Sequence, residues 1–258
     1  MADIQVENLC RTYRTGGREV RALDRVSFEV PSGSFVAVVG YSGCGKTTLF
    51  RHIAGLEEPD NGATIFSNGN GGAEHVRPRL GMVFQEPRLL PWLTVTDNLS
   101  LALKRSGSLD TGASVREALE IVGLGEFGSA YPDQLSGGMA QRAALGRALC
   151  RRPSLLLMDE PFGALDALTR AQLQCEMARI WADRPMTVLF ITHDIAEAVT
   201  LADRTLIMSS GRIIDDRPIS LGRPRSPGNP EFESLRRGIL ATILAKTHKC
   251  KECEEQDA

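Results

Sequence analysis

The sequence predicts an α/β fold: a core built on a parallel sheet, an antiparallel β subdomain laid on it, and an α-helical subdomain inserted between two core strands. Three observations carry that expectation. Short apolar, β-rich runs alternate with helical patterns through most of the 258 residues, which implies strand–helix–strand units and a parallel sheet. The first part of the chain alternates instead at period two, the signature of an antiparallel sheet with one buried face. Residues from about 87 to 152 hold helical patterns, among them "SVREALEIVGL", and no convincing strand.

Taken in order, "DIQVENL" and "VRALDRVSFEV" read as antiparallel strands joined through the short polar loop "CRTYRTGG", and "GATIFSN" (62–68) joins the same sheet. "SFVAVVG" (34–40) is a buried strand running through a Gly-rich turn into the helix "KTTLFRHIAG", with Gly55 as its C-terminal cap. The runs "RLGMVFQ" (79–85), "SLLLMDE" (154–160), "MTVLFITH" (186–193) and "RTLIMSSG" (204–211) are further core strands. "SNGNGGAEH" (67–75) is a mobile surface loop, and "PISLGRPRSPGNP" a Pro-punctuated linker before the helical "FESLRRGILATILAKTH". The expected division is a domain over 3–235, with a β subdomain at about 3–33 and 60–70, a core at about 34–86 and 153–215, and a helical subdomain at about 87–152. A C-terminal helix and charged tail, 236–258, follow it.

A composition of 42% hydrophobic and 24% charged residues is that of a globular chain, and a formal net charge of −2 gives no field to draw it to nucleic acid. No apolar run approaches the roughly twenty residues of a membrane span, and "MADIQVENLC" is not a secretory signal. Any work at a membrane is then done from its surface. Six scattered cysteines fit a reduced compartment. In the tail, His248, Cys250 and Cys253 supply at most three metal ligands among solvated charges.

The chemistry begins at "GYSGCGKTT", residues 40–48, which fits G-x-x-x-x-G-K-[ST] between a strand and a helix, the context that the motif requires. The backbone of Gly40, Tyr41, Ser42, Gly43, Cys44 and Gly45 would wrap nucleotide phosphates; Lys46 reaches the β and γ oxygens; Thr47, followed by Thr48, can ligate Mg²⁺. A parallel sheet collects ligands at the carboxyl ends of its strands, where Gln85, Asp159, Glu160 and His193 all fall. Asp159 suits the magnesium shell and Glu160 the base that orients water; alone, the pair could equally start a helix. Gln85 reads either as a polar strand end or as a ligand of Mg²⁺ and water. At His193, "HDIAEAV" also reads as a helix start, with Asp194 as N-cap and Glu197 completing a capping box. Tyr13 is a surface turn residue or a face on which adenine stacks. "YPDQLSGGMAQR" carries Ser136, Gly137 and Gly138 at a helix start, a capped helix or a second anion-binding turn.

Together these motifs resemble the ATP-binding subunits of ABC transporters over about residues 3 to 245, and the fold this implies is a P-loop NTPase (RecA-like) core with the two subdomains above. "GYSGCGKTT" looks like Walker A, Gln85 in "VFQEPRLLPW" the Q-loop, "LSGGM" the signature motif and "LLLMDE" Walker B. "GALD", ending in Asp166, is similar to the D-loop, His193 to the switch histidine and Tyr13 to the adenine-stacking aromatic. The resemblance implies ATP and Mg²⁺ as ligands and a head-to-tail dimer in which each ATP is closed by the Ser136–Gly138 turn of a second copy. It implies two transmembrane permease partners, an indirect solute-binding protein, and a peripheral place on the cytoplasmic face of the membrane. "MVFQEPRLLPWLTVTDNL" and "DEPFGALDALTR" are similar to the importer branch for nitrate, sulfonates and taurine. Importers of thiamine-pyrimidine precursors and a soluble ABC ATPase without a permease are the competing readings.

Overall fold

A computed structural model describes residues 1–68, 77–103 and 111–254, with side chains as far as residue 245. Most of the loop expected at 67–75, and the side chains of the possible ligands His248, Cys250 and Cys253, lie outside these. Strands β1 (Ala2–Thr15), β2 (Arg18–Val30) and β4 (Asn61–Asn68) form an antiparallel sheet in the order β2-β1-β4. The second sheet runs β5 (Leu80–Val83), β6 (Leu155–Asp159), β7 (Thr187–Thr192), β3 (Phe35–Val39), β8 (Arg204–Ser209) and β9 (Arg212–Pro218). Its first five strands are parallel and β9 is antiparallel to β8.

The core strands read as continuous apolar runs because both faces of their sheet are covered. Phe35, Ala37 and Val39 of β3 enter one hydrophobic cluster, with Leu99, Leu145 and Met177 from the helices. Val36 and Val38 enter another, with Ile4, Leu9 and Phe28 of the antiparallel sheet. Helix α1 (Lys46–Ile53) packs on that second side through Leu49, Phe50 and Ile53. It ends with Gly55 at φ +67°, one position past the cap, where the Leu56 N–H bonds back to Arg51 O. Between β5 and β6 lie α2 (Val95–Leu101), α3 (Thr111–Ile121) and α4 (Gly137–Leu149), and the described residues of that stretch contain no strand. Then come α5 (Ala167–Asp183), α6 (Ile195–Leu201) and α7 (Pro230–Glu254).

Three features depart from the sequence reading. Tyr13 is not in a loop: Gly16 and Gly17, both at positive φ, close a tight hairpin directly after Thr15, so "CRTYRT" continues as strand opposite Arg18–Leu23. A second tight turn, Ser210–Gly211, also at positive φ, folds "RIIDDRP" back as β9. The helix expected at "FESLRRGILATILAKTH" starts two residues earlier, at Pro230, so the division set at 235/236 falls inside α7, whose Phe232, Ile239 and Ile243 are buried in the first cluster.

Candidate active site

The strand order β5-β6-β7-β3 sets the carboxyl ends of four neighbouring parallel strands in a row, followed by Gln85, Asp159–Glu160, His193 and the loop 40–48 respectively. The loop owes its path to its glycines. Gly43 and Gly45 sit at φ +82° and +107°, and a Cβ on Gly45 would collide with the Ala22 carbonyl oxygen. A Cβ on Gly40 would strike the Met208 carbonyl. Lys46 is buried, and its Nζ donates to the carbonyls of Gly40 and Tyr41, both at 2.9 Å. Gly45 caps α1 without any side-chain hydrogen bond, so no side chain competes for the first N–H groups of that helix. Among the loop's other residues, Ser42, Thr47 and Gly43 are exposed, Thr48 is half-buried and Cys44 buried, its thiol pKa pushed up by desolvation.

Glu160 follows β6 with φ +44°, a backbone setting that non-glycine residues seldom adopt, held by its N–H to Ile191 O at 2.9 Å. Its Oε2 lies 3.1 Å from His193 Nδ1. The same Oε2 and Gln85 Nε2 are each 3.7 Å from the point where a Cβ on Gly163 would stand, so these two side chains converge above that glycine. Asp159 Oδ1 is buried without a hydrogen-bond partner, and desolvation, with the Glu160 charge second, raises the carboxyl pKa. A hard divalent cation would satisfy that oxygen, so the residues present fit Mg²⁺.

Tyr13 donates its hydroxyl to Glu57 Oε2 at 2.6 Å, a bond that leads the causes holding the Glu57 carboxyl below its usual range. The Arg11 guanidinium lies 5.0 Å from its ring centroid. Ser136 caps α4 by accepting from the Met139 N–H at 3.3 Å. A Cβ on Gly138 would run into Thr169 Cγ2, so this glycine allows the start of α4 to approach the start of α5. Ser136 and Gly138 help line a hollow of about 200 Å³ with Phe127, Arg142 and Thr169, and no residue of 40–48 contributes to it. Asp166 caps α5, its Oδ1 accepting from the Leu168 and Thr169 N–H groups at 3.1 Å; the Thr169 side chain first, and then these backbone bonds, hold its carboxyl pKa below the usual range.

Two polar residues of α4 escaped the sequence reading. Gln141 Nε2 donates to Phe84 O at 3.0 Å and Arg147 donates to Pro87 O and Arg88 O at 2.9 and 2.7 Å, tying α4 to the segment that carries Gln85. The signal was available: Gln141 lies four residues before Leu145 and seven before Ala148, on the buried face of α4. Asp194 caps α6 as expected, through Ala196 N–H at 2.8 Å. Glu197, by contrast, makes no capping box. It is 3% exposed, accepts from Thr192 Oγ1 at 2.6 Å, and its pKa is raised to about 7 by burial.

The family described as ABC transporter matches residues 23–163. The chain is 47% identical over 232 residues to the aliphatic sulfonates import ATP-binding protein SsuB 1 of Burkholderia cenocepacia (strain HI2424), a span of 90% of this chain and 70% of that protein. It is 43% identical over 244 residues to the protein of the same description from Paracoccus denitrificans (strain Pd 1222), 95% of each chain. A solved dimer of the ATP-binding cassette MJ0796 in a post-hydrolysis state, bound to ADP and Pi, superposes with a TM-score of 0.74 at 28% identity, covering 85% of this chain and 100% of that one. From the match over residues 23–163 and these identities, the chain belongs to the ABC transporter family, as an ATP-hydrolysing cassette.

Proposed function

We propose that two copies of this chain bind and hydrolyse two ATP molecules at their shared seam, and that the cycle drives import of a small organic anion of the sulfonate type through two permease subunits. The observation that carries the reading is the Glu160–His193 pair, 3.1 Å apart, beside Gln85 on the strand edge that also leads into the phosphate loop. The substrate class rests on relatives described as aliphatic sulfonates import proteins. The sequence is divided as set out above, into core, β subdomain and helical subdomain.

In this reading the backbone of 40–48 and the start of α1 hold the phosphates, Lys46 leaves its loop carbonyls for the γ-phosphate, and Tyr13 stacks one ring face on adenine. Thr47, Gln85 and Asp159 hold Mg²⁺, which when bound neutralises charge on the phosphate oxygens. Glu160 accepts a proton from the attacking water as it is aligned with the γ-phosphorus, and His193 steadies both Glu160 and the phosphate. The α4 start at Ser136, Gly137 and Gly138 of one copy closes the nucleotide held by the other, with Asp166 at the seam. A solute-binding protein delivers the anion outside the membrane, and the cassette sits at its cytoplasmic face. Among the described residues no helix is long and apolar enough to cross a membrane.

The permeases dock on the segment after Gln85, where Trp92 is 69% exposed while neighbouring Leu89 packs against the core. A large exposed aromatic next to α2 is the kind of anchor that dominates interfaces. Trp92→Ala is expected to leave ATP hydrolysis by the isolated cassette within about twofold of the parent, and to reduce substrate-stimulated hydrolysis with permeases in proteoliposomes by about tenfold or more. Full stimulation by this variant would place docking elsewhere; failure of any permease pair to raise hydrolysis in the parent would sink the importer reading.

A further inference from the structure

We infer that Thr192, Glu197 and Arg170 form a positioning relay that holds His193 in place and ties it to the Leu165–Asp166 segment. This deepens the proposed hydrolytic site and rests on it. His193 is the apex of a one-residue turn: Thr192 Oγ1, at the end of β7, accepts from the Asp194 N–H at 3.0 Å, bonding residue i to i+2 across the histidine. A hydroxyl has one proton to give. Here it goes to Glu197 Oε2 at 2.6 Å, which leaves the oxygen lone pair turned toward Asp194. Glu197 therefore sets the direction of the hydroxyl, and the hydroxyl sets the turn.

Arg170 of α5 supplies the other end. Its Nη2 donates to Leu165 O at 2.9 Å, its Nη1 lies 3.7 Å from Asp194 Oδ2, and its Nε, otherwise without a hydrogen-bond partner, lies 4.0 Å from Glu197 Oε1. The groups facing Glu197 are thus Thr192, Asp194 and His193 from its own side and Arg170 from α5. Thr192 and Glu197 are 1% and 3% exposed. A carboxylate buried this deeply is costly compared with an apolar side chain of similar shape, so its presence at this point is explained by what it orients. The 3.1 Å approach of His193 Nδ1 to Glu160 depends on where this turn holds the ring.

The test compares steady-state ATP hydrolysis of purified Thr192→Val, Thr192→Ser, Glu197→Met and His193→Ala with the parent, together with thermal melting. Thr192→Val keeps the side-chain shape and removes the hydroxyl; kcat is expected to fall about tenfold or more with KM for ATP within about twofold, and Thr192→Ser is expected to recover most of the rate. Glu197→Met should slow turnover similarly without lowering Tm at pH 8, a combination that a merely structural glutamate would not produce. If Thr192→Val and Glu197→Met both keep kcat within about twofold while His193→Ala is inactive, the relay is overturned and the hydrolytic reading stands. If His193→Ala itself retains full turnover, the hydrolytic reading fails first. Should Thr192→Val not fold, Glu197→Met against the parent decides the matter alone.

Discussion

Glu160→Gln is expected to lower the steady-state rate of ATP hydrolysis by at least about 100-fold while leaving ATP affinity within about threefold. The amide has nearly the same volume as the carboxylate, so the strained backbone at φ +44° and the fit beside Gly163 are retained. What is lost is the ability to take a proton from water at the moment of attack, and the charge that His193 Nδ1 meets at 3.1 Å. General-base assistance accounts for about 10²–10⁴ in rate where it has been removed elsewhere, which sets the scale here. A single-turnover measurement with radiolabelled ATP separates the chemical step from product release. Hydrolysis at the parental rate would remove Glu160 from the chemistry.

Gly45→Ala is expected to weaken ATP binding by at least about tenfold although it removes no side chain that touches the nucleotide. At φ +107° an alanine is strained, at a cost of about 1–3 kcal/mol, and its Cβ would also strike the Ala22 carbonyl. That carbonyl belongs to β2, which Asp24 fastens to the adjoining β8–β9 turn through its ion pair with Arg212 and its N–H to Gly211 O at 2.9 Å. Neither partner can retreat easily, so the loop must shift, and with it the N–H groups aimed at the phosphates. Gly43→Ala serves as the comparison: its φ of +82° carries strain, but a Cβ there meets nothing within 4 Å. Titration with a fluorescent ATP analogue should rank Gly45→Ala below Gly43→Ala, and equal losses would show that the collision plays no part.

Much of this architecture is legible in the sequence because it is written in periodicity. Strands β3, β6, β7 and β8 are buried and mainly apolar, since both faces of their sheet are covered, and the expected bounds of each agree with the structure within two residues. The loop 40–48 is legible because its chemistry needs a fixed spacing. What stayed hidden is mainly the burial of polar residues, which depends on how the chain folds around them. Glu197 has the spacing of a capping box after Asp194, yet the carboxylate turns inward to Thr192 because β7 brings that hydroxyl within 2.6 Å. Gln141 has the spacing of the buried face of α4, but its partner, Phe84 O, is 57 residues away in the chain. Tyr13 looked like a loop residue because the two-glycine turn that extends its strand lies after it.

The central claim is that ATP is part of an interface, held by the phosphate loop of one copy and closed by the Ser136–Gly138 turn of another. It rests on the hollow at the start of α4, which Ser136 and Gly138 help line and to which no residue of the phosphate loop 40–48 of the same chain contributes. Sedimentation velocity of Glu160→Gln with ATP and Mg²⁺, alone and combined with Ser136→Arg, tests it most directly. The account predicts that Glu160→Gln shifts from monomer to dimer only when ATP is present, and that Ser136→Arg abolishes the shift while each chain still binds ATP. An ATP-dependent dimer that survives Ser136→Arg, or a dimer indifferent to ATP, would contradict it.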